Sequence, residues 1–209
     1  MNIANLMLTS LALALSVGEP RDRAGHTPIT VKSLSAARMF GTRKFRHSSN
    51  ITAIAFSWNG TSIAAGGSDG AIRLWNAASG ESVAEIPAHG GPLTSLCFSG
   101  DGKLLASSCQ DNKIRLWDTS CWKKVSEFAG DGSGQVLVSP SNLLLAYISF
   151  SGWVRVWDIR SGMEKWAYGP GRNSATSGSF SFSGDVLAIG IQGEALGVGA
   201  SYKHCQARR

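Results

Sequence analysis

Charged residues, proline and cysteine are all scarce in this sequence of 209 residues. Charged residues make up 16% of it, and six prolines and four cysteines are present, whereas a typical globular chain is roughly 25% charged. Four cysteines without a Cys-x-x-Cys pair, and without a histidine at ligand spacing, exclude a disulfide-dense scaffold and argue against a structural zinc site. We therefore expect a reducing compartment, no metal and no cofactor.

Glycine is abundant, and the charge is unevenly placed along the chain. The 25 glycines show no Gly-X-Y period, which favours frequent tight turns. The formal net charge is +6, but residues 1–50 carry +5, residues 201–209 carry +3 and residues 51–200 carry −2. Because the net positive charge lies at the ends, direct nucleic-acid binding is not expected. With 43% apolar residues, the length suits one globular domain of roughly 100–200 residues.

An apolar run lies near the start of the sequence. Residues 6–18 resemble the core of a secretory signal, yet no lysine or arginine precedes them, and the run is too short to span a bilayer. We interpret residues 1–41 as an N-terminal extension, poorly ordered or helical, and residues 201–209 as a basic tail. We expect a cytoplasmic or nuclear localisation, with secretion through this atypical signal as the alternative.

One pentad occurs three times with a period of about 40 residues. It reads IRLWN at 72–76, IRLWD at 114–118 and VRVWD at 154–158, and its tryptophans are 42 and then 40 positions apart. A fourth, decayed copy follows, in which Phe182 and Leu187 fall into phase if two residues are missing from their turn. Leu196 and Val198 then take the apolar pentad positions, and Gly199 stands where tryptophan belongs. Self-similarity at this period indicates a repeat architecture.

Each copy reads as four short strands separated by turns. In the first copy the strands are residues 51–56, 62–66, 72–76 and 82–86, with glycine in each intervening turn. Four short strands in about 40 residues are typical of one propeller blade. Over residues 42–200 the chain resembles the WD-repeat (WD40) β-propeller family. The resemblance implies an all-β fold, a partial propeller with three clear four-stranded blades and a decayed fourth.

The same resemblance implies a buried, hydrogen-bonded set of His, Ser or Thr, Asp and Trp in each blade. The second copy has the full set, the first has Ala65 at the serine position, and the third has Tyr147 and Ser151 at two of the other positions. The members present are His89, Ser107, Asp111 and Trp117 in the second copy, His47, Asp69 and Trp75 in the first, and Trp157 in the third. Ser107 lies mid-strand in a largely apolar run, LLASSC at 104–109, so we interpret the set as structural and predict no catalytic residue.

The predicted function is a non-enzymatic scaffold of a larger complex, with other proteins as partners. The remaining tryptophans and the pentad arginines are the candidate partner contacts, although the arginines also suit solvated flanks or ion pairs with a turn aspartate. The candidates are Trp58, Trp122, Trp153, Trp166, Arg73, Arg115 and Arg155. Residues 130–134 are glycine-rich but lack the Lys and Ser/Thr of a phosphate loop, so a flexible blade connection is expected.

Two alternatives remain open at the level of the sequence. Residues 40–47 are similar to the opening of the THO complex subunit 3 type, which would imply messenger-RNA processing and export. An exported propeller with an enzymatic or ligand-binding role is the other. Because propellers close with four to eight blades, an arc of this size suggests a fragment of a longer protein, completion by another chain or by self-association, or a degenerate short paralogue.

Overall fold

Sixteen β-strands make up the described part of the chain. The computed structural model describes residues 45–169 and 175–191, together with the backbone of residues 194–199 and 205–207. These ranges belong to one compact unit, Phe40–Arg209. The predicted N-terminal extension, residues 1–41, lies outside them. Within these ranges no helix has the length and apolar character needed to cross a membrane.

The strands form four antiparallel sheets of four strands each, hydrogen-bonded in chain order. The first sheet contains β1 (Ile51–Phe56), β2 (Ser62–Gly67), β3 (Ala71–Asn76) and β4 (Ser82–Pro87). The second contains β5 (Leu93–Phe98), β6 (Leu104–Cys109), β7 (Lys113–Asp118) and β8 (Lys124–Ala129). The third contains β9 (Gly134–Val138), β10 (Leu144–Ser149), β11 (Val154–Asp158) and β12 (Glu164–Tyr168). The fourth contains β13 (Ala175–Phe180), β14 (Val186–Ile191), β15 (Glu194–Gly199) and β16 (Cys205–Ala207).

This arrangement confirms the predicted all-β fold of four-stranded blades. Each pentad forms the third strand of its sheet. The strand β16 falls within residues 201–209, which the sequence suggested as a basic tail, so the fourth sheet extends further along the chain than residue 200.

One turn recurs between the first two strands of every sheet. A serine Oγ accepts a hydrogen bond from the N–H that opens the second strand, at 2.9, 2.8, 3.0 and 3.1 Å in the four sheets. The serines are Ser57, Ser99, Ser139 and Ser181. In the first two turns the left-handed conformation falls on Gly60 and Gly102, with φ of 70° and 71°, where glycine carries no steric penalty.

The sequence alignment of the fourth copy is wrong by two residues in its first strand. Phe180 pairs with Leu187, as Val138 pairs with Leu145 in the third sheet. Phe180, not Phe182, is therefore the repeat position, and no residue is missing from the turn. The third strand differs as well, because Leu187 pairs with Val198. In register, Val198 and not Gly199 occupies the position of the pentad tryptophan.

The core lies between consecutive sheets, because β3, β7 and β11 have apolar side chains on both faces. In β3, Leu74 packs towards the second sheet, whereas Trp75 lies on the opposite face. Trp117 belongs to the cluster between the first two sheets, and Trp157 to the cluster between the second and third. Leu187 packs on the third sheet in the same manner. Trp117 and Trp157 thus join their sheets to the preceding one, whereas Trp75 packs against Phe45, which precedes the first sheet.

One face of the first sheet remains partly open. Ile54 is 52% exposed, whereas its counterparts in the second and third sheets, Leu96 and Val136, are 8% and 1% exposed. Phe56 is 50% exposed, and its counterpart Val138 is 8% exposed. The difference arises because a preceding sheet covers these positions in the second and third sheets, and no sheet precedes the first within the described ranges.

Candidate functional site

A chain of hydrogen bonds runs through the second sheet. Trp117 Nε1 donates to Ser107 Oγ at 2.9 Å, and Ser107 Oγ lies 2.7 Å from His89 Nε2. His89 Nδ1 lies 3.1 Å from a carboxylate oxygen of Asp111. Trp117 lies on β7, Ser107 on β6 and Asp111 in the turn between them, so the antiparallel pairing brings three of the four residues together. The structure thus places the four residues of the second-copy set in contact.

One tautomer of His89 satisfies the whole chain of hydrogen bonds from Trp117 to Asp111. Because the indole N–H can only donate, Ser107 accepts from Trp117 and can donate its own proton to Nε2 of His89. Nδ1 then carries the histidine proton and donates it to Asp111. The side chains of Ser107 and His89 are fully buried. A serine held in this way has no free lone-pair direction towards solvent and is unsuited to nucleophilic attack.

The charges around the set move both pKa values downwards. Burial lowers the pKa of His89, and the positive charge of Arg115 lowers it further, against the opposing hydrogen bond and charge of Asp111. Burial raises the pKa of Asp111, but its bonds to His89 and Arg115 outweigh that effect and lower the pKa to about 2. At neutral pH the set therefore contains a neutral imidazole and an ionised carboxylate.

Three residues of the second sheet could in principle hold a metal ion. His89, Cys109 and Asp111 bring their ligand atoms within 4.8 Å of one another. However, a guanidinium nitrogen of Arg115 lies 2.8 Å from Asp111 Oδ2 and 2.6 Å from His89 Nδ1. Burial also raises the pKa of the Cys109 thiol, which donates to the carbonyl of Gly91 at 3.1 Å. The group fits a hydrogen-bonded cluster around an arginine better than a cation site.

The first sheet arranges its set differently because Ala65 has no hydroxyl to bridge tryptophan and histidine. The ring of His47 lies 6.4 Å from that of Trp75 between centroids, and Nδ1 lies 3.1 Å from Ser49 Oγ. A guanidinium nitrogen of Arg73 lies 2.9 Å from each ring nitrogen of His47. Burial and the charge of Arg73 lower the pKa of His47.

The third sheet contains a polar cluster that was not predicted from the sequence. Asp131 accepts hydrogen bonds from Ser149 Oγ at 2.7 Å and from the hydroxyl of Ser151. Tyr147 occupies the position of Ser107, and its hydroxyl donates to the carbonyl of Gly132 at 3.1 Å. Burial, and then the charge of Asp131, raise the pKa of Tyr147. Residues 130–134, expected to be a flexible connection, thus contribute a carboxylate to the blade.

The pentad arginines of the first two sheets are internal ion-pair partners. Arg73 bonds Asp69 at 2.9 Å and Glu85 at 2.6 Å. Arg115 bonds Asp111 at 2.8 Å and Glu127 at 2.9 Å. Their side chains are 11% and 16% exposed, so the ion-pair interpretation describes them better than partner contact.

The four remaining tryptophans differ in exposure. Trp58 is 72% exposed. Trp122 packs against the cluster between the first two sheets, and Trp166 stacks on Tyr168 with centroids 6.2 Å apart. Trp153 is half-buried, with the guanidinium carbon of Arg155 5.5 Å from its ring centroid. Of the four, Trp58 therefore offers the largest free aromatic surface.

Trp58 belongs to a row of equivalent positions at one end of the blades. The residue after the turn serine is Trp58, Gly100, Pro140 or Phe182 in the four sheets, and these residues line a cleft of about 240 Å³. Phe182 is 87% exposed. The sequence misassigned Phe182 to the repeat core, and correcting the register places it in this row. A larger cleft, of about 600 Å³, lies beside the first sheet between His47, Arg73 and Trp75.

The comparisons with known proteins agree with this architecture. Residues 41–76 and 80–118 match the family model described as WD domain, G-beta repeat. These segments are WD40 repeats. The first segment covers β1–β3 and the second covers β4–β7, and the third and fourth sheets continue the same strand order. No match to a curated protein was found.

Solved propellers resemble the four sheets of this chain in fold. The β-propeller domain of Cps50 (Swd1) from Myceliophteria thermophila superposes with a TM-score of 0.71 at 22% identity, over 78% of this chain and 56% of that one. The WD40 repeats of RRP9 and the structure of U3-55K each give a TM-score of 0.68 at 17% identity, over 78% of this chain and 52% and 53% of theirs. The chain thus spans about half the length of the WD40 structures that it matches.

Proposed function

We propose that this chain is a non-enzymatic scaffold that binds other proteins through its WD40 blades. The observation that carries the proposal is the row of turn residues around the smaller cleft, where Trp58 is 72% and Phe182 is 87% exposed. Large exposed aromatic side chains on a rigid framework are favourable anchors for a protein partner, because they bury much area at little entropic cost.

The chemistry of the polar sets supports a structural role rather than catalysis. Ser107 is fully buried and bonded on both sides, and the carboxylate of Asp111 is held by His89 and Arg115. A hydrolase would need an exposed, activated nucleophile beside an oxyanion site. The same residues instead join β6, β7 and the turn between them through hydrogen bonds.

Site-specific photocrosslinking tests the proposal. A benzophenone amino acid is placed at position 58 or 182 of the full chain, and at the control position 83. Val83 is 55% exposed on the outer strand β4, so it matches the test positions in exposure but not in location. After irradiation in cells, adducts are separated by size and identified by mass spectrometry.

We expect positions 58 and 182 to form an adduct with the same protein, and position 83 to form none with it. Equal adduct patterns at all three positions, or no protein adduct at 58 and 182, would contradict the scaffold proposal. Circular dichroism of each purified variant checks that the blades are folded.

We also propose that a second copy of the chain covers the open face of the first sheet. The 52% exposure of Ile54, against 8% for Leu96, supports a further sheet at this place. A cytoplasmic or nuclear location forms part of the same proposal. N-terminal sequencing of the native protein tests it, because a start at Glu19 would indicate export. The THO-type role and the exported ligand-binding role stay predictions from the sequence.

A further inference from the structure

The three pentad arginines occupy the same position but have different neighbours. In the first two sheets, each arginine pairs across to a glutamate on the outer strand, Arg73 with Glu85 and Arg115 with Glu127. Each glutamate binds its guanidinium, at 2.6 and 2.9 Å. A turn aspartate four residues before each arginine completes the pair of carboxylates. In the first two blades, two carboxylates thus pair with the arginine of the pentad.

The third sheet keeps the arginine and lacks both carboxylates. Arg155 pairs across to Ala167, and the turn position four residues before it is Ser151. Among the residues that the structure describes, no carboxylate oxygen lies within 4 Å of the Arg155 side chain. Ala167 is exposed, so solvent has access to the place that the glutamate would fill.

An aromatic ring replaces the lost acidic partners beside Arg155. The guanidinium carbon lies 5.5 Å from the ring centroid of Trp153, which stands where the second sheet has Lys113. Gly169 leaves room for this ring, because a Cβ there would lie 3.1 Å from it. A guanidinium held against a ring keeps its charge and its planar donors, which suit a carboxylate.

The acidic residues nearest in the fold make no ion pair with Arg155. Asp131 accepts hydrogen bonds from Ser149 and Ser151, and Asp158 lies 3.8 Å from Lys165. Glu164 is exposed and stands at the position of Lys124, which in the second sheet reaches Glu127 at 2.9 Å. Arg155 is therefore the pentad arginine whose charge is left for an external anion.

We propose that Arg155 and Trp153 form a binding site for a glutamate or aspartate side chain of an acidic protein segment. The segment supplies from outside the carboxylate that Glu85 and Glu127 supply within their own blades. The site lies at the end of the blades opposite Trp58, because Trp153 follows the turn between the second and third strands. The inference rests on the proposed scaffold function but uses a surface separate from the cleft.

Two substitutions at position 167 make a matched test. Ala167→Glu restores the internal carboxylate of the other blades, whereas Ala167→Gln adds a side chain of the same size without charge. The full chain, labelled with 15N, is titrated with a peptide of four glutamates flanked by glycines. The amide and indole signals of Trp153 and the Nε–H signal of Arg155 are followed by NMR. A peptide with glutamine in place of glutamate is the neutral probe.

We expect the glutamate peptide to shift the signals of Arg155 and Trp153 in the unsubstituted chain and in Ala167→Gln. In Ala167→Glu the affinity should fall by at least about tenfold, because the internal carboxylate occupies the guanidinium. The signals of Arg115, which already has two carboxylates, should not move. Rising salt should weaken binding to Arg155, since the contact is exposed to solvent.

Three results would overturn the proposal. They are equal shifts with the glutamine peptide, unchanged affinity in Ala167→Glu, and shifts confined to residues away from Arg155. A phosphoserine peptide is titrated in parallel, and binding of that peptide without binding of the glutamate peptide would overturn the assignment to a carboxylate. Failure here leaves the crosslinks at positions 58 and 182 unaffected, so it is distinguishable from failure of the scaffold proposal.

Discussion

Ser107 connects the two halves of the polar set in the second blade. Its hydroxyl is fully buried, accepts from Trp117 and lies 2.7 Å from His89 Nε2. Ser107→Ala leaves Nε1 of Trp117 and Nε2 of His89 without this hydrogen-bond partner, so the free energy of unfolding should fall by about 1–3 kcal/mol. Urea denaturation measures the change. Ser179→Ala, in an exposed position of β13, should stay within about 0.5 kcal/mol, and an equal loss in both variants would contradict the role of Ser107.

His89 gives the second blade a defined response to pH. Because burial and Arg115 lower its pKa in the folded chain, the unfolded chain takes up a proton first as the pH falls below about 6.5. The contribution of His89 to stability is therefore complete above that pH and declines below it. The lowered pKa of His47 acts in the same direction.

Two measurements check this pH response. NMR titration of the folded chain should place the imidazole pKa of His89 below about 6.5, with the His89→Gln variant used to assign its signal among those of the four histidines. Urea denaturation should give a lower free energy of unfolding at about pH 5.5 than at about pH 7.5. A folded-state pKa for His89 above its ordinary value would reverse the expected sign and contradict the argument.

At the scale of the strand, Gly134 allows the third blade to accept tyrosine where the second has serine. A Cβ at Gly134 would lie 2.6 Å from Tyr147 Cζ and 2.7 Å from the carbonyl oxygen of Ile148. Neither neighbour can move easily, since Tyr147 is 1% exposed and the carbonyl belongs to β10. Gly134→Ala should therefore lower the free energy of unfolding by about 1–3 kcal/mol through overpacking.

Gly90 provides the control for this substitution. A Cβ at Gly90 would have no atom within 4 Å, so Gly90→Ala should change the free energy of unfolding by less than about 0.5 kcal/mol. Urea denaturation curves for the two variants make the comparison. A tolerated Gly134→Ala would mean that β9 and Tyr147 pack less closely than described.

The strands could be predicted from the sequence wherever the repeat is regular. The pentad placed β3, β7 and β11, and the resemblance to the WD-repeat family grouped His89, Ser107 and Trp117, whose atoms lie within hydrogen-bonding distance. The fourth copy was misaligned because serine and phenylalanine alternate through residues 179–183, so two registers have the same pattern. The bond from the N–H of Val186 to Ser181 decides between them.

The third-blade cluster could not be found from repeat matching. Asp131 has no acidic counterpart in the other copies, and its partner Ser149 stands where the second blade has Cys109. Alignment of the copies detects residues that all of them share. The contact between Asp131 and Ser149 is made by residues that differ from those of the other copies, so the alignment does not predict it. The same limitation applies to Arg155, which is kept in sequence while the acidic residues around it are lost.

For the whole molecule, the open apolar face of the first sheet predicts association with a second copy of the chain. Ile54 and Phe56 are 52% and 50% exposed, although the positions equivalent to Ile54 are at most 8% exposed in the next two sheets. Removing two such side chains from water contributes several kcal/mol to association. We therefore expect the full chain to form a discrete dimer in which this face is covered by a second copy.

Light scattering coupled to size-exclusion chromatography checks the expected mass. Ile54→Glu places a charge on the open face and should shift the full chain from dimer to monomer, because burying an unpaired carboxylate is costly. Val125→Glu is the matched control, since Val125 is 55% exposed and lies on β8, the outer strand of the second sheet. A folded monomer of the unsubstituted chain would contradict self-association, and loss of the dimer in both variants would place the interface elsewhere. A dimer lost in Ile54→Glu alone would identify the open face of the first sheet as the surface on which the two copies meet.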